Sequence, residues 1–194
     1  PVLVDVSIDN MNISIGAIEK AITPKTKAIV PVHLFGRAVD MDALMALAKK
    51  HNLYVIEDTA QGVGGSHASP QGKQKLGTIG DIGTTSFFPS KNLGCYGDGG
   101  AIFTNNDALA HTIRGIVNHG MYKKYHHDVV GVNSRLDSIQ AAILRVKLPY
   151  LDQYTKARQE AARYYSYKLA GHKNIITPTI CSDCDCHVFH QYTL

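Results

Sequence analysis

The chain has 194 residues, of which 44% are hydrophobic and 19% charged, and a net charge of +4. That composition is long and apolar enough for a sizeable core and excludes a disordered or fibrous chain. The basic excess is small and scattered, which suits phosphorylated ligands and argues against nucleic acid; no stretch approaches the roughly 20 apolar residues of a membrane span, and no charged-then-apolar leader opens the chain, so a cytoplasmic protein is expected.

The opening Pro1-Val2-Leu3-Val4-Asp5-Val6 is strand-like. From Ser14 to Ile22, Ile15, Ile18 and Ile22 follow the spacing of an amphipathic helix that Thr23-Pro24 ends. A strand is expected from Ala28 to Leu34, then a helix capped by Asp40 and running through Lys50. In that helix Leu44 and Leu47 face inward, Lys49, Lys50 and His51 sit near the negative end, and Asn52 is the stop. Strand, helix and strand make a βαβ unit, so a mostly parallel sheet flanked by helices is predicted.

Leu53 to Ile56 is a short apolar run that ends in Glu57 and Asp58. Strands buried on both faces read this way, and α/β sheets bind ligands just past their carboxyl ends, which places Asp58 where a cofactor would lie. Residues 62–80 read as an exposed excursion with Gly72-Lys73 at its tip and no assigned chemistry. Ile82 to Phe88 returns to the sheet. Next comes Ser86-Phe87-Phe88-Pro89-Ser90-Lys91-Asn92-Leu93-Gly94, which puts one lysine on a constrained turn. A lysine amine can join a carbonyl covalently, and pyridoxal 5'-phosphate (PLP) is the commonest carbonyl cofactor that uses one. Such a site also needs a carboxylate against the pyridine nitrogen, because a nearby negative charge keeps that nitrogen protonated. Asp58 and Lys91, 33 residues apart, come in the order required.

Gly94 to Gly100 lacks the Lys-Ser/Thr pair of a phosphate loop, and Asp98-Gly99 reads as a hairpin turn leading to a strand at Ala101 to Thr104. A helix is expected from Asn106 to Asn118, then a loop rich in Tyr, Lys and His at the cofactor mouth; the adjacent His126 and His127 point apart and do not suggest a metal. Ser134 and Asp137 resemble a capping box for a helix whose Leu136, Ile139, Ile143 and Val146 share a face. After Pro149 a second helix runs from about Leu151 to Ala170 and leads out of the large domain, and Pro178 with the polar run after it reads as a linker. Cys181, Cys184 and Cys186 with His187 and His190 imitate a zinc cluster, but no second ligand pair lies elsewhere, so no metal is expected, and a disulfide is disfavoured in a cytosolic chain.

Glu57-Asp58-Thr59-Ala60-Gln61, the Ser86 to Gly94 run and Gly97-Asp98-Gly99-Gly100-Ala101 resemble the DegT/DnrJ/EryC1/StrS family of PLP-dependent sugar aminotransferases. Pro31-Val32-His33-Leu34-Phe35-Gly36 with Asp40-Met41, Gly131 to Asp137 and His187 to Tyr192 resemble family segments in the same order. The resemblance implies PLP-dependent transferase fold type I, the aspartate aminotransferase type: an α/β large domain, 1–148, a connecting helix and linker, 149–178, and the start of a small C-terminal α/β domain, 179–194, with His187 to Tyr192 as a strand. Family members are longer at both ends, so a central fragment is expected.

By the same resemblance Lys91 carries PLP and moves protons, Asp58 holds the pyridine nitrogen, Gln61 bonds the ring's phenolic oxygen and Ser86 helps hold the phosphate. Asn133 reaches the cofactor phosphate of a partner subunit, which implies a homodimer with shared active sites. Arg135 and His33 are candidate substrate contacts. The implied reaction moves an amino group from L-glutamate to a UDP- or dTDP-linked keto sugar. The alternatives are an aminotransferase on a non-sugar substrate, such as an aminocyclitol precursor, and a non-catalytic regulatory member of the fold. Lys91 sets the chain apart from the family's dehydrating members, which carry histidine there.

Overall fold

The computed structural model describes residues 1–70, 72–180 and 184–194, the Cys184 side chain excepted. Helix α1, Ile15–Ala21, is capped by the Ser14 hydroxyl, which accepts the Ala17 amide. Strand β1 is short, Ala28–Ile29, although the chain stays alongside its neighbour as far as Val32. Helix α2, Met41–His51, begins where the Asp40 carboxylate accepts the Ala43 amide and ends at Asn52, whose backbone is left-handed. Its Leu44 and Leu47 are buried with Met41 against Ile18, Ile29 and Val55.

Strand β2, Tyr54–Asp58, pairs in parallel with β1. Residues 62–80 are more structured than an exposed excursion. They contain the hairpin β3, Ser66–Ser69, and β4, Gly72–Lys75, and then return to the core with Leu76 and Gly77 buried. Strand β5, Ile82–Ser86, is parallel to β2, and β6, Gly100–Phe103, is antiparallel to β5, so the four-stranded order is β1-β2-β5-β6. A Cβ on Gly83 would fall onto the Gly77 carbonyl oxygen, so glycine is what lets the 77–80 loop lie flat on β5.

Helix α3, Asp107–Val117, starts at Asn106, whose side chain accepts two amides. Strands β7, Met121–Lys123, and β8, His126–His127, form a small exposed hairpin. Helix α4, Ser138–Lys147, departs from the predicted face: Leu144 is the buried residue, while Ile139 and Val146 are mostly exposed. What α4 covers is the turn after Lys91, and Gln140, Leu144 and Lys147 are the side chains that reach it. Asp137 precedes α4 without a side-chain cap bond. Helix α5, Leu151–Leu169, follows a single 3-10 turn at Leu148–Tyr150.

His187 to Tyr192 is not a strand, and only His187 makes an isolated bridge, to Arg37. Among the described residues no helix is long and apolar enough to cross a membrane, and no group of three His, Cys, Asp or Glu is placed to hold a metal. Of the cysteine cluster, Cys181 and the Cys184 side chain lie outside the described residues. Cys186 is disulfide-bonded, which corrects the expectation of reduced thiols.

Candidate active site

The carboxyl ends of β2 and β5 lie side by side, with Asp58 registered against Thr84 and Ser86 two residues beyond. Threonines lock this edge: Thr59 Oγ1 donates to the Thr84 carbonyl at 2.6 Å and Thr85 Oγ1 to the Thr59 carbonyl at 3.1 Å. Asp58 is half-buried, and its Oδ1 accepts the Ala60 amide at 2.9 Å, an Asx turn that swings the chain off the strand. Gln61 follows in that turn. Its Oε1 accepts the Phe35 amide at 2.6 Å, so the end left to donate is Nε2, whose neighbour is Gln191 Oε1 at 3.5 Å.

Phe35 has φ +58 and Gly36 φ +91, a tight reversal between β1 and α2. A Cβ on Gly36 would sit 2.7 Å from Val188 and 2.8 Å from the Gln61 carbonyl oxygen, so the close approach of these segments requires glycine. Buried Asn12 secures the loop by accepting the Leu34 amide and donating to the Arg37 and Ala38 carbonyls.

Ser86 Oγ accepts the Phe88 amide at 3.2 Å at the mouth of the lysine turn. The Lys91 amide donates to the Phe88 carbonyl at 2.8 Å, and the Lys91 side chain is half-buried. The turn is held from below by Leu93 and Cys95, both buried, and from the side by α4, where Gln140 accepts the Tyr96 amide and Lys147 Nζ donates to the Gly94 carbonyl.

Segment 187–192 crosses this edge. Asn92 donates to the Val188 carbonyl at 3.4 Å and its Oδ1 faces His190 Nδ1 at 3.1 Å, which makes that ring nitrogen the donor. Burial, and then the positive charges of Lys91 and Arg158, push the His190 pKa down. From α5, Gln159 and Arg158 donate to the carbonyls of His187, Phe189 and His190. Local sequence patterns did not single out Asn92, Arg158 or Gln159, and raised His190 only as a member of a zinc-like cluster; the polar residue beside Lys91 was the one available signal.

Asp58, Gln61, Ser86 and the Lys91 turn are thus gathered at one sheet edge. Asn133 and Arg135 are not bonded to any of them. They are exposed beyond β8, where Arg135 Nε donates to Asn133 Oδ1 at 3.0 Å. His33, a candidate substrate contact by sequence, is 0% exposed here, with Nε2 3.0 Å from Glu57 and Nδ1 accepting the Val39 amide at 3.1 Å, so both ring nitrogens are engaged inside the protein. The donor set at the edge fits PLP by its chemistry, with an amine for the carbonyl, a carboxylate for the pyridine N–H, an amide donor for the phenolic oxygen and a hydroxyl for the phosphate.

The family model described as the DegT/DnrJ/EryC1/StrS aminotransferase family matches residues 1–194. A protein of Acidithiobacillus ferrooxidans named UDP-N-acetyl-3-dehydro-alpha-D-glucosamine 3-aminotransferase is 50% identical over 194 residues, covering 100% of this chain and 51% of the relative. A pleiotropic regulatory protein of Geobacillus stearothermophilus is 50% identical over 196 residues, with 100% and 51% covered. The crystal structure of the Bacillus subtilis protein ntda with its cofactor PMP superposes with a TM-score of 0.88 at 36% identity, over 99% of this chain and 43% of that one. The chain spans about half the length of the curated relatives it matches.

Proposed function

Because this chain belongs to the DegT/DnrJ/EryC1/StrS aminotransferase family, we propose that the protein is a PLP-dependent aminotransferase acting on a nucleotide-linked keto sugar, with L-glutamate as amino donor. The carrying observation is the edge at which β2 and β5 end, where Asp58, Gln61, Ser86 and the Lys91 turn meet. When bound, PLP supplies an electron sink for the pair released as a C–H bond next to the amino nitrogen breaks. Lys91 would hold the cofactor through Nζ. Once the substrate's amine has displaced it from the cofactor carbonyl carbon, the freed Nζ would take up the proton from the carbon next to the amino nitrogen. The Asp58 carboxylate keeps the pyridine nitrogen protonated. Gln61, its Oε1 tied to Phe35, would offer its Nε2 as the donor to the phenolic oxygen. Ser86 binds phosphate.

Asn133, whose Oδ1 is occupied by Arg135, has Nδ2 left to donate, and in this reading it reaches the cofactor phosphate of a second copy across a two-fold homodimer. Arg135 stands beside it for the diphosphate of the sugar nucleotide. The same reading divides the chain into a cofactor-binding domain at 1–148, a connector at 149–178 and the start of a smaller domain at 179–194. The Geobacillus relative's name favours a second reading, a regulatory protein on the same fold; an intact Lys91, Asp58 and Gln61 speak for catalysis. Borohydride reduction of the PLP-loaded protein, followed by peptide mass analysis, is expected to leave the pyridoxyl group on Lys91. A label on another lysine would overturn the assignment, and a protein that takes up no PLP would favour the regulatory reading.

A further inference from the structure

Two of the most deeply buried polar side chains have no role in that reading. Glu57 and His33 are both 0% exposed. The Glu57 carboxylate has four hydrogen-bond partners: Oε2 faces His33 Nε2 at 3.0 Å and accepts the Gly77 amide at 2.8 Å, while Oε1 accepts the amides of Ile79 at 2.7 Å and Gly80 at 2.6 Å. His33 Nδ1 accepts the Val39 amide, so it carries no hydrogen; the ring N–H is on Nε2 and is donated to Glu57. Burial alone would raise the Glu57 pKa, but the bonds from His33, Gly80, Gly77 and Ile79 outweigh it and hold the group below its ordinary value. A carboxylate this deep is tolerated only when its lone pairs are satisfied. Here the partners come from two segments that bracket β2, the 33–39 crossover and the 77–80 loop.

The same residues fasten the candidate site. The His33 amide donates to the Asp58 carbonyl at 3.0 Å, and the Asp58 amide donates to the Pro31 carbonyl at 2.9 Å. His33 therefore grips the end of β2 twice, through its backbone at Asp58 and through its ring at Glu57. Successive strand side chains point to opposite faces, so fixing the direction of Glu57 also fixes that of Asp58. Two residues past His33, the Phe35 amide holds Gln61 Oε1. His33 thus lies at the junction of the two segments that aim Asp58 and Gln61.

We propose that His33 and Glu57 form a buried positioning pair that aims the Asp58 carboxylate and the Gln61 amide at the cofactor while touching neither cofactor nor substrate. The inference rests on the reading of Asp58 and Gln61 as cofactor contacts. Outer partners of metal ligands typically carry about 10- to 100-fold in affinity, and an effect at the lower end of that range is expected here.

The test uses the whole protein and three variants. His33→Phe keeps the ring volume without a donor, Glu57→Gln sets an amide N–H against backbone N–H groups, and His33→Gln retains a donor at the place of Nε2. Equilibrium dialysis gives the PLP dissociation constant, absorbance gives the spectrum of bound PLP, and hydrogen exchange on the cofactor-free protein reads the amides of Gly77, Ile79 and Gly80. His33→Phe and Glu57→Gln are expected to raise the dissociation constant about tenfold or more, shift the absorption band and speed exchange at those amides, with His33→Gln recovering most of the affinity. Wild-type affinity and spectrum in either disruptive variant would overturn the pair's role, as would a loss that His33→Gln does not relieve. If His33→Phe does not fold, the comparison of Glu57→Gln with His33→Gln decides. Failure of the wild-type protein to bind PLP would instead overturn the reading of the site.

Discussion

His187 offers a quantitative test of how the segment that crosses the site is held. It is 4% exposed, stacks on Phe189 with 3.8 Å between ring centroids, and accepts the Phe189 amide through Nδ1 at 3.1 Å. Burial, and then the charge of Arg37, push its pKa from 6.5 down to about 4, against a hydrogen bond to the Gly36 backbone that acts the other way. The unfolded chain takes up this proton near 6.5 and the folded one near 4. Between those values the unfolded state binds more protons, so stability is complete above 6.5 and falls as pH drops toward 4. At about 1.4 kcal/mol per pH unit the loss comes to about 3 kcal/mol. The perturbation is His187→Phe, which keeps an aromatic ring on Phe189 but cannot titrate.

Urea unfolding followed by circular dichroism, at about pH 7.5 and about pH 4, measures both proteins. At the higher pH the variant is expected to lose about 1–3 kcal/mol for the stranded Phe189 amide. On acidification it should lose about 3 kcal/mol less than wild type does. His190, also lowered, is present in both proteins, so the difference between their acid losses reads His187. Equal acid losses would refute the reasoning. Because the same segment joins Gln61 through Gln191 and Asn92 through His190, cofactor release is expected to follow the same acid transition.

Asp58→Ala is expected to cut aminotransfer at least about 100-fold with little change in melting temperature, and a purely structural acid would show the reverse pattern. Mixed Lys91→Ala and Asn133→Ala subunits should regain activity by forming sites with both residues intact, whereas no recovery after verified exchange would argue for a self-contained site. Arg135→Ala should raise the KM for a nucleotide keto sugar about tenfold or more and leave that for glutamate near wild type; half-reaction kinetics that prefer a free keto acid or cyclitol would reject the substrate class. Gly83→Ala should destabilise the protein by at least about 3 kcal/mol in urea unfolding, because the methyl would drive the Gly77 loop off β5 and away from Glu57; a loss under about 0.5 kcal/mol would refute this.

The sequence by itself settled what short-range rules control. Asp40 and Asn52 bound α2 through a cap and a left-handed stop, and the apolar run before Asp58 is a parallel strand. Asp98-Gly99 is not the expected hairpin turn, because Gly99 already lies alongside Phe87 and the long loop that carries Lys91 makes the connection from β5 to β6. The ordered motifs from Pro31 to Tyr192 carried the family, and with it the candidate residues Lys91, Asp58, Gln61 and Ser86. Only the tertiary structure decided where the polar atoms of distant segments meet. His33 carries no local sign that its ring is spent on Glu57, 24 residues away, rather than offered to a substrate. Residues 77–80 looked like an exposed excursion because their work is done by backbone amides, which every sequence contains, aimed at Glu57. The apolar stripe on α4 was legible, but how much of it is covered depends on the neighbour, and the neighbour is the lysine turn, which takes Leu144 and leaves Ile139 and Val146 exposed. Periodicity reports a side chain's direction from its own element, while burial and hydrogen bonding depend on partners that folding brings together from far along the chain.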